Sequence, residues 1–243
     1  MFIIVSRQYF NAAIAVVGVI SLSLLSVAMH PHFEEWKREG IVVTMVDTRT
    51  QAVALTFDDG PQPEVTPKLL EILRRHKAHA TFFVLGSQAD KHPDIVKKTM
   101  AQGNEIANHG YGHQFTRYNN LDYAIEDIET ANQSIKKITG VNNRLFRPPG
   151  GYLSDAMVDY CRRQKYLIVT WTWNQDTKDW TFISGQQIAN HILQNLEPGQ
   201  IIILHDGGSQ REEMLKGVDL LLTGLEAKGY KAVTVSELLK IAK

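Results

Sequence analysis

Short apolar runs alternate with longer stretches of helical periodicity from residue 51 to the end of the chain. The runs have the length of strands, and the stretches repeat their apolar residues on one helical face. The runs predicted as strands are residues 53–57, 80–85, 105–108, 166–170, 201–204 and 232–235. The stretches predicted as helices are residues 66–76, 90–102, 121–138, 155–165, 186–195, 213–228 and 236–241.

This alternation predicts an α/β fold with a parallel sheet, because parallel strands need a crossover connection that a helix usually provides. Seven or so units in about 190 residues fit either a (β/α) barrel or a doubly wound sheet. In both architectures functional side chains collect where strands end and loops begin. Polar residues that directly follow the apolar runs are therefore the candidates for a functional site.

An apolar segment without ionisable side chains spans residues 10–29. As a helix rising about 1.5 Å per residue it would be roughly 30 Å long, the thickness of a membrane's hydrocarbon core. Arg7 precedes it and acids outnumber bases just after it, so the positive-inside rule places the rest of the chain outside the membrane. Ser26 and Ala28 fit a signal-peptidase site, so a membrane anchor, a cleaved signal peptide and, less favoured, a buried core helix are open interpretations.

The sequence thus divides into an N-terminal anchor or signal peptide at residues 1–29, a polar and irregular spacer at 30–50, and a folded domain at 51–243. The chain carries 26 Lys and Arg against 26 Asp and Glu, and a zero net charge without a basic run excludes a nucleic-acid-binding footprint. The single Cys161 excludes an intrachain disulfide and a cysteine-based zinc site. Its helical context favours a buried, unreactive thiol. Nothing in the sequence indicates a protein partner.

Two adjacent acids, Asp58 and Asp59, follow the first apolar run in the segment TFDDGP at residues 56–61. Two carboxylates at a strand end repel each other unless a cation or a shared proton compensates them. Neighbouring residues of an extended chain point in opposite directions, so the two acids are expected to do different jobs. The alternative interpretation is a β-turn, which Asp-Gly-Pro favours.

Two histidines, His109 and His113, follow the third apolar run in NHGYGH at residues 108–113. This spacing can present two imidazoles to one metal ion, and a carboxylate from elsewhere would complete a set with open positions. Gly110 and Gly112 indicate a turn rather than a stable helix. A pair of exposed loop histidines is the alternative, and the nearby acid pair favours the metal site.

Three further clusters follow apolar runs. Arg147 opens RPPGG at residues 147–151, where it can hold a carboxylate bidentately, or else face solvent at a structural kink. Asp179 and Trp180 close DTKDW at residues 176–180. His205 lies in ILHD at residues 203–206, at the mouth of an apolar strand, as a candidate general acid or a histidine simply bonded by a neighbour. The remaining helical histidines, namely His76, His79, His92 and His191, receive no role.

In chain order, the motifs TFDDGP, HGYGH, RPPGG, DTKDW and ILHD resemble the five motifs of NodB-type polysaccharide deacetylases, carbohydrate esterase family 4. Order and spacing match over residues 51–240. The resemblance implies a distorted (β/α) barrel with seven or eight strands. It also implies hydrolysis of the N-acetyl group of β-1,4-linked N-acetylglucosamine at a divalent metal ion. The ligand type favours Zn²⁺, although two histidines and a carboxylate also admit Co²⁺, Ni²⁺ or Fe²⁺.

The resemblance assigns roles to residues of this chain at the matching motif positions. It implies that Asp59, His109 and His113 are the metal ligands and that Asp58 is the general base. The backbone N–H of Gly150 would hold the oxyanion of the tetrahedral intermediate. Asp58 would take a proton from a metal-polarised water as that water attacks the acetamide carbon.

The same resemblance implies that His205 protonates the leaving amine. Arg147 would hold the general base, and Asp179 would keep His205 protonated through charge proximity. Trp180 would wall the acetyl pocket. An amide has a poor leaving group, so this proton donor is as necessary as activation of the carbonyl.

Two positions depart from the family pattern. Gly110 stands where similar enzymes usually have Ser or Thr, and Gly150 stands where they commonly have Tyr, so one aromatic wall of the substrate groove is expected to be missing. The predicted function is deacetylation of peptidoglycan outside a bacterial membrane, where an anchored or secreted enzyme meets the cell wall first. Chitin, chitooligosaccharide or exopolysaccharide substrates, an O-acetyl esterase, and a catalytically weak glycan-binding wall protein are the alternatives.

Overall fold

The computed structural model describes residues 30–142, 144–208 and 211–242. The apolar segment at residues 10–29 lies outside this part, so its role as an anchor or a signal peptide stays a prediction. Within the described part, no helix is both long enough and apolar enough to cross a membrane. The described fold is that of the domain that follows the apolar segment in the chain.

Strands and helices alternate along the described chain. The strands are β1 Val42–Val43, β2 Ala52–Asp58, β3 Thr81–Val84, β4 Glu105–Asn108, β5 Leu145–Phe146, β6 Leu167–Val169, β7 Ile201–His205 and β8 Lys231–Val233. The helices are α1 Phe33–Arg38, α2 Thr66–Arg75, α3 Gly86–Lys91, α4 Pro93–Ala101, α5 Leu121–Thr139, α6 Asp155–Arg163, α7 Gly185–Gln194, α8 Glu212–Ala227 and α9 Val235–Lys240. Short 3₁₀ turns cover Phe115–Arg117, Pro149–Gly151 and Trp173–Gln175.

The strands form one sheet in the order β1-β6-β5-β4-β3-β2-β7, and β8 also pairs with β2. Every ladder between these strands is parallel. No ladder joins β1 to β7 within the described residues, so the curved sheet is an open, distorted barrel. The predicted α/β fold is confirmed, and its carboxyl strand ends share one edge as expected.

Strand β2 is buried along its whole length and pairs with three other strands, β3, β7 and β8. All seven of its residues are buried, as expected for a parallel strand covered on both faces. Leu55 and Phe57 pack with α2 and α8 residues in one apolar cluster. A second cluster lies around β5 and β6 and contains Cys161, which is fully buried. Burial raises the pKa of the Cys161 thiol to about 12, so the prediction of an unreactive thiol is confirmed.

Part of residues 30–50 differs from the expected irregular spacer. This segment contains helix α1 and strand β1, and Val42 of β1 is in register with Ile168 of β6. Trp36 and Val42 are 4% and 1% exposed in the second apolar cluster. The few apolar residues of this polar stretch are therefore enough to join it to the sheet, and the folded unit begins before residue 51.

The predicted helix at residues 90–102 is wrong at its start. The chain forms two helices, α3 ending at Lys91 and α4 beginning at Pro93. A proline lacks the N–H that an uninterrupted helix needs and disfavours helical backbone in the residue before it, here His92. The other predicted bounds lie within about two residues of the structure.

Candidate active site

The ends of strands β2, β4 and β7 and the loops that follow them surround one cavity of about 230 Å³. Asp58 is the last residue of β2, and its Cα partner in the neighbouring strand is His205, the last residue of β7. The loop after β4 begins at His109. Seven of the nine predicted site residues line this cavity, namely Asp58, Asp59, His109, His113, Gly150, Trp180 and His205.

Three of these side chains form a potential metal site. Oδ1 of Asp59 lies 3.4 Å from Nε2 of His109 and 3.3 Å from Nε2 of His113. One potential ligand atom from each of these three side chains lies within 4.8 Å of the other two. Oδ1 of Asp59 is buried and has no hydrogen-bond partner among the described residues. A buried, unpartnered carboxylate oxygen facing two imidazole nitrogens fits a divalent cation.

The electrostatics of this group support a ligand role. Burial would raise the pKa of Asp59, but His109 and His113 outweigh it and hold that pKa well below its usual range. Burial lowers the pKa of His113 and so favours the neutral imidazole that a metal ligand requires. Burial also opposes charge on His109, but Asp58 and Asp59 outweigh burial and raise the pKa of this ring.

A backbone contact orients His109. Its Nδ1 lies 2.8 Å from the carbonyl oxygen of Arg147. A carbonyl can only accept, so the neutral His109 ring must carry its proton on Nδ1. Nε2 is then left with its lone pair on the side of Asp59, as a metal ligand needs.

The loop between the two histidines is held by a residue that the sequence did not suggest, Asp127 of α5. Its Oδ2 accepts hydrogen bonds from the backbone N–H of Tyr111 at 2.8 Å and from the hydroxyl of Tyr118 at 2.7 Å. Its Oδ1 accepts from the N–H of Gly112 at 3.0 Å and from the hydroxyl of Tyr123 at 3.2 Å. Four donors converge on one buried carboxylate, which fixes the backbone between the ligands.

This network accounts for glycine at position 110. Gly110 has φ +76°, and a Cβ there would lie 2.3 Å from Oδ2 of Asp127 and 2.5 Å from the hydroxyl oxygen of Tyr118. A serine or threonine would therefore collide with the groups that hold the loop.

The sequence did contain one signal for the role of Asp127. This residue is an acid on the apolar face of α5, beside Ala124 and Ile128.

Arg147 holds Asp58 in place. Its Nη1 donates to Oδ1 of Asp58 at 2.7 Å and to Oγ1 of Thr56 at 2.8 Å. Nε and Nη2 donate to the carbonyl oxygens of Val169 and Thr170 at 3.1 Å and 3.0 Å. The guanidinium is fully buried, which excludes the alternative of a solvent-exposed arginine at a kink. The other carboxylate oxygen of Asp58, Oδ2, lies 3.8 Å from Nε2 of His109.

Asp179 holds His205 by two contacts. Oδ1 of Asp179 lies 2.8 Å from Nδ1 of His205, and its Oδ2 accepts a hydrogen bond from the backbone N–H of His205 at 3.0 Å. Burial alone would lower the pKa of His205, but the Asp179 carboxylate raises that pKa to about 9. His205 is therefore held as an imidazolium at neutral pH. Arg211, which the sequence did not suggest, donates to the Asp179 carbonyl oxygen at 3.3 Å.

A further buried acid, Asp206, lies beside this pair. Its Oδ2 accepts from the hydroxyl of Thr66 at 2.5 Å, and its Oδ1 has no partner among the described residues. Burial, with Asp59 and Asp58 nearby, raises the pKa of Asp206 to about 7. A Cβ on Gly60 would lie 2.3 Å from Oδ1 of Asp206, so this acid packs directly under the loop that carries the metal-site aspartate.

The remaining predicted residues form walls of the cavity. Gly150 lies in the 3₁₀ turn Pro149–Gly151 with φ +62°, and Trp180 lines the cavity with 42% of its surface exposed. The expected gap beside Gly150 does not exist, since a Cβ there would lie 3.3 Å from Cγ of Phe115. Phe115 comes from a different loop, so its position could not be predicted from the motif alone.

Comparison with known proteins identifies the family of this chain. Residues 45–169 match the polysaccharide deacetylase family. A peptidoglycan-N-acetylglucosamine deacetylase of Bacillus cereus is 37% identical over 85% of this chain and 97% of its own length. The peptidoglycan-N-acetylmuramic acid deacetylase PdaC of Bacillus subtilis is 33% identical over 82% of this chain but 41% of its own length.

The fold comparison reaches the same family. The crystal structure of a peptidoglycan N-acetylglucosamine deacetylase superposes with a TM-score of 0.81 at 32% identity. The alignment covers 86% of this chain and 97% of that structure. Since the family match, the sequence identity over nearly the whole length of the Bacillus cereus relative and the fold all agree, this chain belongs to the polysaccharide deacetylases, hydrolases of carbohydrate esterase family 4.

Proposed function

We propose that this enzyme removes the N-acetyl group from N-acetylglucosamine residues of peptidoglycan and releases acetate. One observation carries the proposal. An Arg-held carboxylate, a carboxylate-held imidazole and the cluster of Asp59, His109 and His113 all border the same cavity. Amide hydrolysis needs a proton acceptor, a proton donor and stabilisation of an oxyanion, and this cavity offers a separate group for each.

The cluster of Asp59, His109 and His113 would hold a divalent cation, for which Zn²⁺ is the first candidate on ligand type. Such an ion, when bound, supplies Lewis-acid polarisation of the acetyl carbonyl and lowers the pKa of a water molecule. Three protein ligands leave coordination positions open for both. The unpartnered Oδ1 of Asp59 supports this assignment.

Asp58 is the proposed general base. Its Oδ1 accepts a hydrogen bond from Nη1 of Arg147, which fixes the orientation of the carboxylate. Asp58 lines the cavity, and its Oδ2, which lies 3.8 Å from Nε2 of His109, is the oxygen that can accept the proton of the attacking water. Arg147 itself is a positioning residue, because its side chain is fully buried and does not line the cavity.

His205 is the proposed general acid. Its Nδ1 is engaged with Asp179, so Nε2 is the nitrogen that can deliver a proton to the leaving amine. In the same proposal, the backbone N–H of Gly150 donates a hydrogen bond to the oxyanion, and the indole of Trp180 packs against the methyl group of the acetyl substituent. A wall protein without activity would not need this paired set of acid and base.

Peptidoglycan is the proposed substrate for two reasons. The relatives above are peptidoglycan deacetylases, one for N-acetylglucosamine and one for N-acetylmuramic acid. The apolar segment at residues 10–29 would also place the domain outside a bacterial membrane, anchored or secreted, next to the cell wall.

The test is acetate release from peptidoglycan, chitin oligomers and acetylated xylan, each with and without a chelator. Chelator-sensitive release from peptidoglycan, with glucosamine rather than muramic acid as the deacetylated sugar, supports the proposal. Release from chitin oligomers alone, from xylan alone, or from muramic acid would replace the proposed substrate. The absence of release from all three would overturn the activity.

A further inference from the structure

Phe115 forms a wall of the cavity next to Gly150. It is partly exposed and lies two residues beyond the metal-site histidine His113, with ring centroids 6.2 Å apart and an interplanar angle of 71°. A Cβ on Gly150 would lie 3.3 Å from Cγ and 3.5 Å from Cβ of Phe115. The phenylalanine therefore fills the space that a side chain at position 150 would use.

The chain conformation preserves this arrangement. Gly150 has φ +62°, a backbone conformation that residues with a Cβ atom rarely adopt. Phe115 begins the 3₁₀ turn Phe115–Arg117, directly before the buried Tyr118 that bonds Asp127. The same network that holds the metal-site loop therefore also anchors the turn that carries the ring.

Part of the cavity wall is apolar, and the side chains proposed to react with the substrate lie in the same cavity. Its apolar lining includes Phe115, Pro148, Trp171, Trp180 and Ile203. The acetamide must reach Asp58 and His205, which are at most 16% exposed in their side chains. The partly exposed ring of Phe115 is thus available to the sugar that carries the acetamide, since a pyranose ring has an apolar face of C–H groups.

We infer that Phe115 is a sugar-binding residue of this enzyme, whose ring packs against the apolar face of a pyranose ring of the glycan. The inference rests on the proposed function and deepens it, because it assigns recognition of the sugar to a residue outside the five motifs. Phe115 then determines affinity for the glycan, and the groups around Asp58 and His205 determine the rate.

The inference is tested by binding first, independently of turnover. The probe is the N-acetylglucosamine tetramer, titrated calorimetrically into the Asp58→Asn protein and into the same protein carrying Phe115→Ala. The loss of one aromatic contact is expected to weaken binding about tenfold. Phe115→Tyr keeps the ring and is expected to keep the affinity, whereas Phe115→Leu keeps apolar volume without a flat ring and is expected to lose it.

A matched control is Phe182→Ala, which removes an aromatic side chain that is 97% exposed and does not line this cavity. It should bind the tetramer like its parent. With the catalytic base restored, Phe115→Ala should raise KM for the tetramer about tenfold while changing kcat little, and it should lose far less on a small acetyl ester.

The outcomes separate the inference from the proposed function. Tetramer binding that depends on the ring supports the inference, and it overturns the proposed activity if the protein with native Asp58 releases no acetate from peptidoglycan, chitin oligomers or acetylated xylan. Equal affinity in Phe115→Ala, Phe115→Leu and their parent overturns the inference even when acetate is released. No binding of the tetramer to any of these proteins overturns the inference as well.

Discussion

Asp58 and His205 are Cα partners in register at the ends of strands β2 and β7. Each is held by its own partner, Asp58 by Arg147 at 2.7 Å and His205 by Asp179 at 2.8 Å. The Asp179 carboxylate raises the pKa of His205 to about 9, which favours its imidazolium form at neutral pH. Two neighbouring strand ends thus carry the groups proposed as proton acceptor and proton donor, each held by a partner of opposite charge, and hydrolysis of an amide requires both groups.

Replacing the proton acceptor separates its role from metal binding. Asp58→Asn is nearly isosteric and can still accept from Arg147, but it cannot take a proton from water. We expect metal content to stay unchanged and kcat to fall about a hundredfold or more. Metal analysis and acetate release from the purified variant provide the check. A metal-loaded variant within a few fold of the native rate would show that Asp58 is not the base.

Each of the metal-site residues should be indispensable. Three protein ligands leave no redundancy, so Asp59→Ala, His109→Ala and His113→Ala are each expected to lose tight metal binding. The control is His191→Ala, because His191 bonds the carbonyl oxygen of Asn174 away from the cavity. Metal analysis after dialysis decides the matter, and stoichiometric metal in all three variants contradicts the assignment.

Asp127 should affect metal affinity without touching the metal. Asp127→Ala removes the acceptor for the Tyr111 and Gly112 N–H groups, so the loop between the ligands loses its fixed geometry. We expect metal affinity to fall about 10- to 100-fold, with a smaller loss in Asp127→Asn, which keeps one acceptor oxygen. Competition with a chromophoric chelator measures this. Glu126→Ala, an exposed acid on the same helix, is the matched control and should bind metal normally.

Much of this site could be predicted from the sequence because strand ends are predictable. Apolar runs of four to seven residues locate β2, β4 and β7, and the polar residues that follow them necessarily meet at one sheet edge. That reasoning placed Asp58, His109 and His205 in one cavity, as the structure shows.

Contacts between distant segments could not be predicted in the same way. The Asp127 carboxylate lies 15 residues beyond Gly112 in the chain, and only the packing of α5 against β4 brings them together. Phe115 similarly fills the space beside Gly150, although the two residues belong to separate loops. Strand β1 was missed because two residues carry little periodicity, and its burial depends on pairing with β6.

The pH profile should depend on Asp179. His205 must be protonated to act as the donor, so kcat is expected to fall as pH rises through its pKa, which Asp179 helps to raise to about 9. Asp179→Asn removes that charge and lowers the pKa of His205. The alkaline limb of kcat should therefore move to lower pH, with metal content unchanged. An alkaline limb that stays in place would assign it to a different group.

The role of His205 itself can be tested with two leaving groups. An amine must be protonated to depart, whereas the alcohol or phenol of an activated acetyl ester departs with much less help. His205→Ala should therefore lose about a hundredfold or more on the N-acetyl glycan and only a few fold on the ester, provided that metal content is equal. Asp58→Asn is the comparison, since loss of the base should slow both substrates. Equal losses of His205→Ala on amide and ester would mean that this histidine shapes the cavity instead of donating a proton, and the pairing with Asp179 would then be structural.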